Sequence, residues 1–144
     1  MMKARNLDER IRLLFEPRSV AVVGASREPG KIGYAVLKNI LSGGYRGPVY
    51  PINPAGGQIE GIPVRRSLQE VDGEIDVAVV TIPAHLVFSA VQDLCRKNVK
   101  NAVLISAGFS EIGNLEEERK IADYANERGM RILGAVYYGT RHLT

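Results

Sequence analysis

A β-branched apolar run, Val20-Ala21-Val22-Val23, breaks off at Gly24-Ala25-Ser26. A polar stretch, Arg27-Glu28-Pro29-Gly30-Lys31, then leads through Ile32-Gly33-Tyr34 into a helical pattern. A strand, a short loop and a helix start in that order suit phosphate. Backbone N–H groups and the positive end of a helix supply the donors, and glycine lets the backbone come close. Gly24, Ala25, Ser26, Lys31, Gly33 and Tyr34 are therefore the first candidate ligand residues. Gly24 and Gly33 lie nine positions apart, whereas the dinucleotide fingerprint G-x-G-x-x-G spans about five. Ser26 also stands where its second glycine would be. A phosphorylated adenine ligand is expected, with NAD not the first choice.

The end of the second apolar run refines this. NAD-binding domains usually place Asp or Glu there, hydrogen-bonded to a ribose hydroxyl. Here the run ends Ile52-Asn53-Pro54, and no carboxylate follows until Glu60. A carboxylate would repel a phosphorylated ribose. Its absence suits coenzyme A, whose ribose carries a 3′-phosphate, or NADP.

The elements that must position these residues follow from periodicity. Leu7, Ile11, Leu14 and Phe15 form one stripe of a short helix that Pro17 stops. Residues 32–42 read as a helix ended by Gly43-Gly44. Leu86, Val87, Ala90, Val91 and Leu94 give a third stripe, with Pro83 expected at its first helical position. Residues 115–128 give a charged fourth helix. Strands are expected at Val20–Val23, Val49–Ile52, Ile75–Ile82 and Ala102–Ser106, with a fifth beginning at Met130–Leu133. Pro51 marks the second as a strand end or edge. Asn53 to Arg66, rich in Gly and Pro, reads as loop. The continuous apolar runs suit strands covered on both faces.

Strands alternating with helices imply an α/β fold: a Rossmann-like, doubly wound sheet of about five parallel strands with helices on both faces. Ligands bind such sheets beyond the carboxyl ends of the strands. That selects the loops Gly24 to Tyr34, Asn53-Pro54, Pro83-Ala84-His85 and Ser106 to Phe109. Asn53, Pro54, Pro83, Ala84, Ser106, Ala107 and Gly108 join the candidates.

Each candidate also has a plainer role. Gly24 can serve a tight turn, Ser26 can cap one, and Lys31 can be a solvated charge. Gly33 can admit close helix–sheet packing, and Tyr34 is first a packing residue. His85 falls in a first helical turn, where the dipole disfavours its charge, and reads as structural or exposed. His142 sits in an irregular tail. No nucleophile–base pair and no metal-ligand spacing is evident, so no catalytic residue and no metal site are expected.

The 144 residues suffice for one domain with one substantial core. Apolar residues make up 45% and charged residues 24%, an ordinary globular balance. No apolar run approaches membrane-spanning length, and the amino terminus is charged. A single cysteine, Cys95, excludes an intrachain disulfide. A cytoplasmic location is the expectation. The net charge of +3 comes from scattered basic residues, which argues against nucleic acid.

Several segments resemble, in order, the opening of the ADP-forming (NDP-forming) acyl-CoA synthetases. They are Leu14-Phe15-Glu16-Pro17-Arg18-Ser19 with Val20 to Ser26, Gly30-Lys31-Ile32-Gly33-Tyr34, and Val49 to Pro54. Ile75 to Val80, Ile82-Pro83-Ala84 and Ile105-Ser106-Ala107-Gly108-Phe109-Ser110-Glu111 complete the series. The resemblance covers about residues 7–134. It implies a CoA-binding domain similar to the start of the succinyl-CoA synthetase α-subunit. CoA or acyl-CoA would be the ligand, and further synthetase domains or subunits the partners. The family converts acyl-CoA, phosphate and ADP to acid, CoA and ATP through an acyl phosphate and a phosphohistidine. That histidine belongs to a later domain, so binding without turnover is expected of these residues alone. The family usually continues its fifth strand with Gly-Pro-Asn-Cys, and residues 135–144 depart from that. An isolated domain, a truncated product and an altered reading frame all fit this departure.

The resemblance implies the pyrophosphate on the Gly24–Gly33 loop, adenine near Asn53 and Pro83, and the thiol arm toward Ser106-Ala107-Gly108. The alternatives are an NAD(P)-binding oxidoreductase or redox-sensing module, and a small regulatory protein that keeps the fold without useful affinity.

Overall fold

The structure, a computed structural model, describes residues 2–105 and 115–136. Helix α1 spans Met2–Phe15, and β1 (Val20–Val23) leads to α2 (Ile32–Ser42) and β2 (Val49–Ile52). A two-residue hairpin follows, β3 (Gln58–Ile59) and β4 (Ile62–Pro63), then one 3₁₀ turn, Leu68–Glu70. The chain continues as β5 (Val77–Val80), α3 (Ala84–Arg96), β6 (Asn101–Ile105), α4 (Leu115–Glu127) and β7 (Arg131–Val136).

The main sheet has the order β2-β1-β5-β6-β7, with every pairing parallel. This is the expected doubly wound, Rossmann-like sheet. The chain leaves β1 for β2 on one side and returns to β5 on the other. The crevice at the carboxyl ends of β1 and β5 is therefore the topological switch point. Val23 pairs with both Ile52 and Val80, so Gly24, Asn53 and Thr81 emerge side by side.

Alternation along β1 builds both faces. Ala21 and Val23 join the larger core, with Val87, Val91 and Leu94 of α3 and Ile121 and Ala125 of α4. Val22 points the other way, onto Leu37 of α2, Ile59 and Val64. The short hairpin thus closes the smaller core. Strands β1 and β5 are wholly apolar because both of their faces are covered.

Pro51 sits in an edge strand, as its lack of an N–H requires. The carbonyls of Pro48 and Ile52 point to β1. The Pro51 carbonyl points outward and accepts the Arg65 N–H at 2.9 Å. The proline therefore costs no bond to β1. Outside it, Arg65 bridges Ile52, and the Asn53 N–H donates to the Arg65 carbonyl at 2.9 Å.

At the amino end of the sheet, Asp76 is 1% exposed. It accepts from the Arg18 N–H (2.8 Å), Nε (3.0 Å) and Nη2 (3.2 Å). The Ser19 hydroxyl donates to the Glu74 carbonyl (2.6 Å) and accepts the Asp76 N–H (3.2 Å). Asn101, fully buried, donates from Nδ2 to the Arg10 carbonyl at 3.1 Å, tying α1 to β6. Burial pushes the Asp76 carboxyl up, but the Arg18 hydrogen bonds outweigh it and hold the group below the ordinary carboxylate range.

Several boundaries differ from expectation. Helix α1 begins five residues earlier than residue 7. The third main strand is only Val77–Val80, because Thr81 turns its hydroxyl back onto β1. Pro83 is the residue before α3 and Ala84 its first member, a one-residue difference of the kind helix ends show. The Asn53–Arg66 loop contains the β3–β4 hairpin, whose two-residue strands are too short to leave a period. Among the described residues no helix is long and apolar enough to cross a membrane.

Candidate ligand site

The switch point is built around a close approach of three residues. Gly24 takes φ +95°, a left-handed value that favours glycine. The Gly24 and Ala25 N–H groups both donate to the Ile52 carbonyl, at 3.0 and 3.2 Å. Neither amide is left for a ligand, and Ala25 is fully buried. Gly33 packs against the turn so closely that a Cβ there would lie 2.0 Å from the Gly24 carbonyl oxygen. The Thr81 hydroxyl donates to the Val23 and Gly24 carbonyls, at 3.0 and 3.1 Å. Gly33 and Thr81 thus clamp the end of β1 from two sides. A Cβ on Gly24 would meet Ile82 and Thr81, each at 2.8 Å.

The loop beyond folds on itself. The Ser26 hydroxyl accepts the Glu28 N–H at 3.0 Å, and the Lys31 N–H donates to the Glu28 carbonyl at 3.2 Å. Lys31 immediately precedes α2 and makes no side-chain cap. Its carbonyl accepts the Tyr34 and Ala35 N–H groups. The Ile32 and Gly33 amides, first in α2, have no acceptor among the described residues. The first turn of α2 carries no acidic side chain. Two free amides, a helix dipole and the exposed Lys31 stand together at this corner, the kind of donors that an anion needs. Tyr34 is half-buried, and its hydroxyl lies 3.4 Å from Lys38 Nζ.

Asn53 joins the first two loops. Its Nδ2 donates to the Ala25 carbonyl at 2.8 Å, and its Oδ1 accepts the Ala55 N–H at 2.8 Å. The Gly56 N–H donates to the Asn53 carbonyl at 3.0 Å, closing a turn that exposes Pro54. Pro83 is exposed, and its carbonyl accepts the Leu86 N–H at 2.9 Å; Ala84 beside it is half-buried against the larger core. The candidates therefore divide. Gly24, Ala25, Gly33 and Asn53 are linked through the Gly24–Ala25 turn as the frame, while Ser26, Lys31 and Tyr34 occupy the loop and helix start above it. Pro54, Pro83 and Ala84 lie on the flanking turns. Ser106, Ala107 and Gly108 lie outside the described residues.

Three residues at this end have no place among the sequence candidates. Thr81 reads as strand in the sequence. Arg27 reaches across to the β2 loop, donating from Nη2 to the Gly56 carbonyl (2.7 Å) and from Nε to the Gln58 carbonyl (3.4 Å). Arg66 lies against Gly56 from the other side. The signal available in sequence is the Gly56-Gly57 pair with Arg65-Arg66 shortly after it.

His85 is exposed in the first turn of α3. Cys95 is half-buried, and burial pushes its thiol up, away from the nucleophilic form. Among the described residues no group of acidic, histidine or cysteine side chains could hold a metal ion.

Comparison with known proteins bears directly on the ligand. The CoA binding domain family matches residues 18–142. The chain is 43% identical to the acetate–CoA ligase [ADP-forming] I subunit alpha of Pyrococcus furiosus, over 88% of this chain and 29% of that protein. It is 42% identical to the acetate–CoA ligase [ADP-forming] of Methanocaldococcus jannaschii, over 88% of this chain and 18% of that one. A solved structure of Ca. Korarchaeum cryptofilum dinucleotide forming acetyl-coenzyme A synthetase 1, in complex with phosphate and ADP, superposes with a TM-score of 0.85. It is 41% identical and covers 90% of this chain and 28% of that one. The chain thus spans under a third of these relatives, and the NAD(P) alternative is not favoured. The fold, the long glycine spacing and these likenesses converge: the chain belongs to the CoA binding domain family.

Proposed function

We propose that this chain binds CoA or acyl-CoA in the crevice between the carboxyl ends of β1 and β5. The observation that carries the reading is the free start of α2. The Ile32 and Gly33 amides have no acceptor among the described residues, and they sit beside exposed Lys31 with no acidic side chain in that turn. A pyrophosphate needs donors of this kind, and the helix dipole favours its charge. Gly24, Ala25 and Asn53 hold the floor through backbone and amide bonds. Adenine lies between Asn53-Pro54 and Pro83-Ala84, with Tyr34 at the loop. The pantetheine arm runs toward Ser106-Ala107-Gly108. The protein's part is to position CoA; the thioester chemistry is CoA's own.

The wider role is the CoA site of an ADP-forming acid–CoA ligase, with further domains or subunits supplying the phosphohistidine and the ADP site. Calorimetry of the 144-residue protein with CoA, ADP, NAD and NADP tests the binding reading. CoA should bind more tightly than NAD or NADP, and equal or tighter NAD binding overturns it. A coupled assay for CoA release and ATP formation should give no turnover with these residues alone. Turnover that disappears in His85→Ala would make His85 catalytic.

A further inference from the structure

The carboxyl end of β2 is where nucleotide-binding sheets of this kind read the ribose, with an acid for a hydroxyl and an arginine for a phosphate. Here Gly56 and Gly57 follow β2 in succession, both left-handed, at φ +67° and +87°. A Cβ on Gly57 would lie 2.7 Å from Arg27 Nη2, and one on Gly56 would lie 3.0 Å from Arg66 Nε. Each glycine therefore leaves room for one guanidinium, and the two come from different parts of the chain. Arg27 spends Nη2 and Nε on the Gly56 and Gln58 carbonyls, which fixes its plane. Its Nη1 has no partner among the described residues, nor does any side-chain nitrogen of Arg66. Neither arginine forms an ion pair among the described residues, although Glu70 is near enough for its carboxylate to accept the Arg66 backbone N–H at 2.9 Å. Two guanidiniums without carboxylate partners, held against one turn, form a fork for a dianionic phosphate.

We propose that Arg27 and Arg66 recognise the phosphate on the adenosine ribose of CoA and so set the preference for a phosphorylated ribose. The inference rests on the CoA reading above. It extends that reading to a subsite outside the β1–α2 glycines and adds a residue, Arg66, from a separate loop. A phosphate monoester at that position carries close to two negative charges at neutral pH. It can accept from Nη1 of Arg27 and from the fork of Arg66 together. A ribose bearing only hydroxyls leaves both cations solvated and gains little.

The test compares CoA with 3′-dephospho-CoA by calorimetry, in the wild-type protein and in Arg27→Gln, Arg66→Gln and the double variant. Arg66 makes no side-chain hydrogen bond among the described residues, so Arg66→Gln should fold normally, as a thermal melt would verify. Wild type should prefer CoA by ~100-fold or more, about one decade for each of the charge-assisted hydrogen bonds that removal of the phosphate deletes. Arg66→Gln should reduce that preference and the double variant abolish it, with 3′-dephospho-CoA affinity changed by less than about threefold. Equal wild-type affinity for the two ligands overturns the inference and leaves the CoA reading standing. So does a parallel loss of both ligands in the variants, which would make Arg27 a loop staple only. Wild type that binds neither ligand overturns both.

Discussion

The two ends of the sheet treat their polar groups in opposite ways. At the amino end, Asp76, Arg18, Ser19, Glu74 and Asn101 bond to one another across 25 to 58 residues of chain. Among the described residues, only Asn101 Oδ1 and Arg10 Nε are buried side-chain atoms without a partner. At the carboxyl end, the Ile32 and Gly33 amides, Arg27 Nη1 and the Arg66 guanidinium find no partner among the described residues. The first end is stabilised by its own charges. The second holds its charges apart on a tight frame of Gly24, Gly33, Thr81 and Asn53. Most polar side chains of the first end satisfy one another and hold the fold, while those of the second leave donors open, and on that contrast the CoA reading rests.

The contrast breaks most visibly at the frame. Gly33→Ala already places a Cβ on the Gly24 carbonyl, and Gly33→Val adds branches. Gly33→Val should cost ~3 kcal/mol or more of folding stability in urea denaturation, with CoA binding lost because the fold is lost. An intact fold with only binding lost would move Gly33 from the frame to the ligand surface.

Asp76→Ala should come next, at about 1–3 kcal/mol, because it takes the acceptor from the part-buried Arg18 backbone N–H. Its folded-state pKa is lowered. The stability it confers is therefore present above the unfolded carboxyl value of about 4 and lost as pH falls through the lower folded value. Wild type should lose stability below about pH 4 more steeply than Asp76→Ala. CoA affinity of the folded variant should match wild type, since the two ends are separate.

Thr81→Val keeps the shape and deletes one hydroxyl from two carbonyls. A loss of about 1–2 kcal/mol in thermal denaturation is expected. The smallest effect on the fold belongs to Lys31→Glu. Stability should stay within ~0.5 kcal/mol, while CoA affinity falls by ~10-fold at low salt and recovers toward wild type near 1 M salt. A salt-independent loss would take Lys31 off the phosphate.

The sequence is most readable where one short period decides the outcome. Val20–Val23 and Val49–Ile52 announce themselves as apolar runs, and Pro51 announces the edge. Gly24 and Gly33 stand out by type, although their close approach depends on packing between a loop and a helix turn. Ser26 and Asn53 are visible as turn formers, and both do bond locally, to Glu28 and Ala55. The Asn53–Ala25 bond is not visible, since it joins loops 28 residues apart. Thr81 looks like one more strand residue because its hydroxyl's partners lie 57 and 58 positions away. Arg27 and Arg66 look like ordinary surface cations for the same reason. Local pattern carries the elements; side chains that bridge them leave no periodic trace.

The outer flank of β2 has a consequence for how the molecule behaves in company. An edge strand offers free donors and acceptors on which a second chain can grow into a continuous sheet. Pro51 has no N–H to offer, and its carbonyl is already taken by Arg65. Arg65 also lies over the Tyr50 ring, 5.7 Å from its centre, placing a charge where an incoming strand would stack. That side of the sheet is therefore guarded against self-templated aggregation without lengthening the chain or burying further surface.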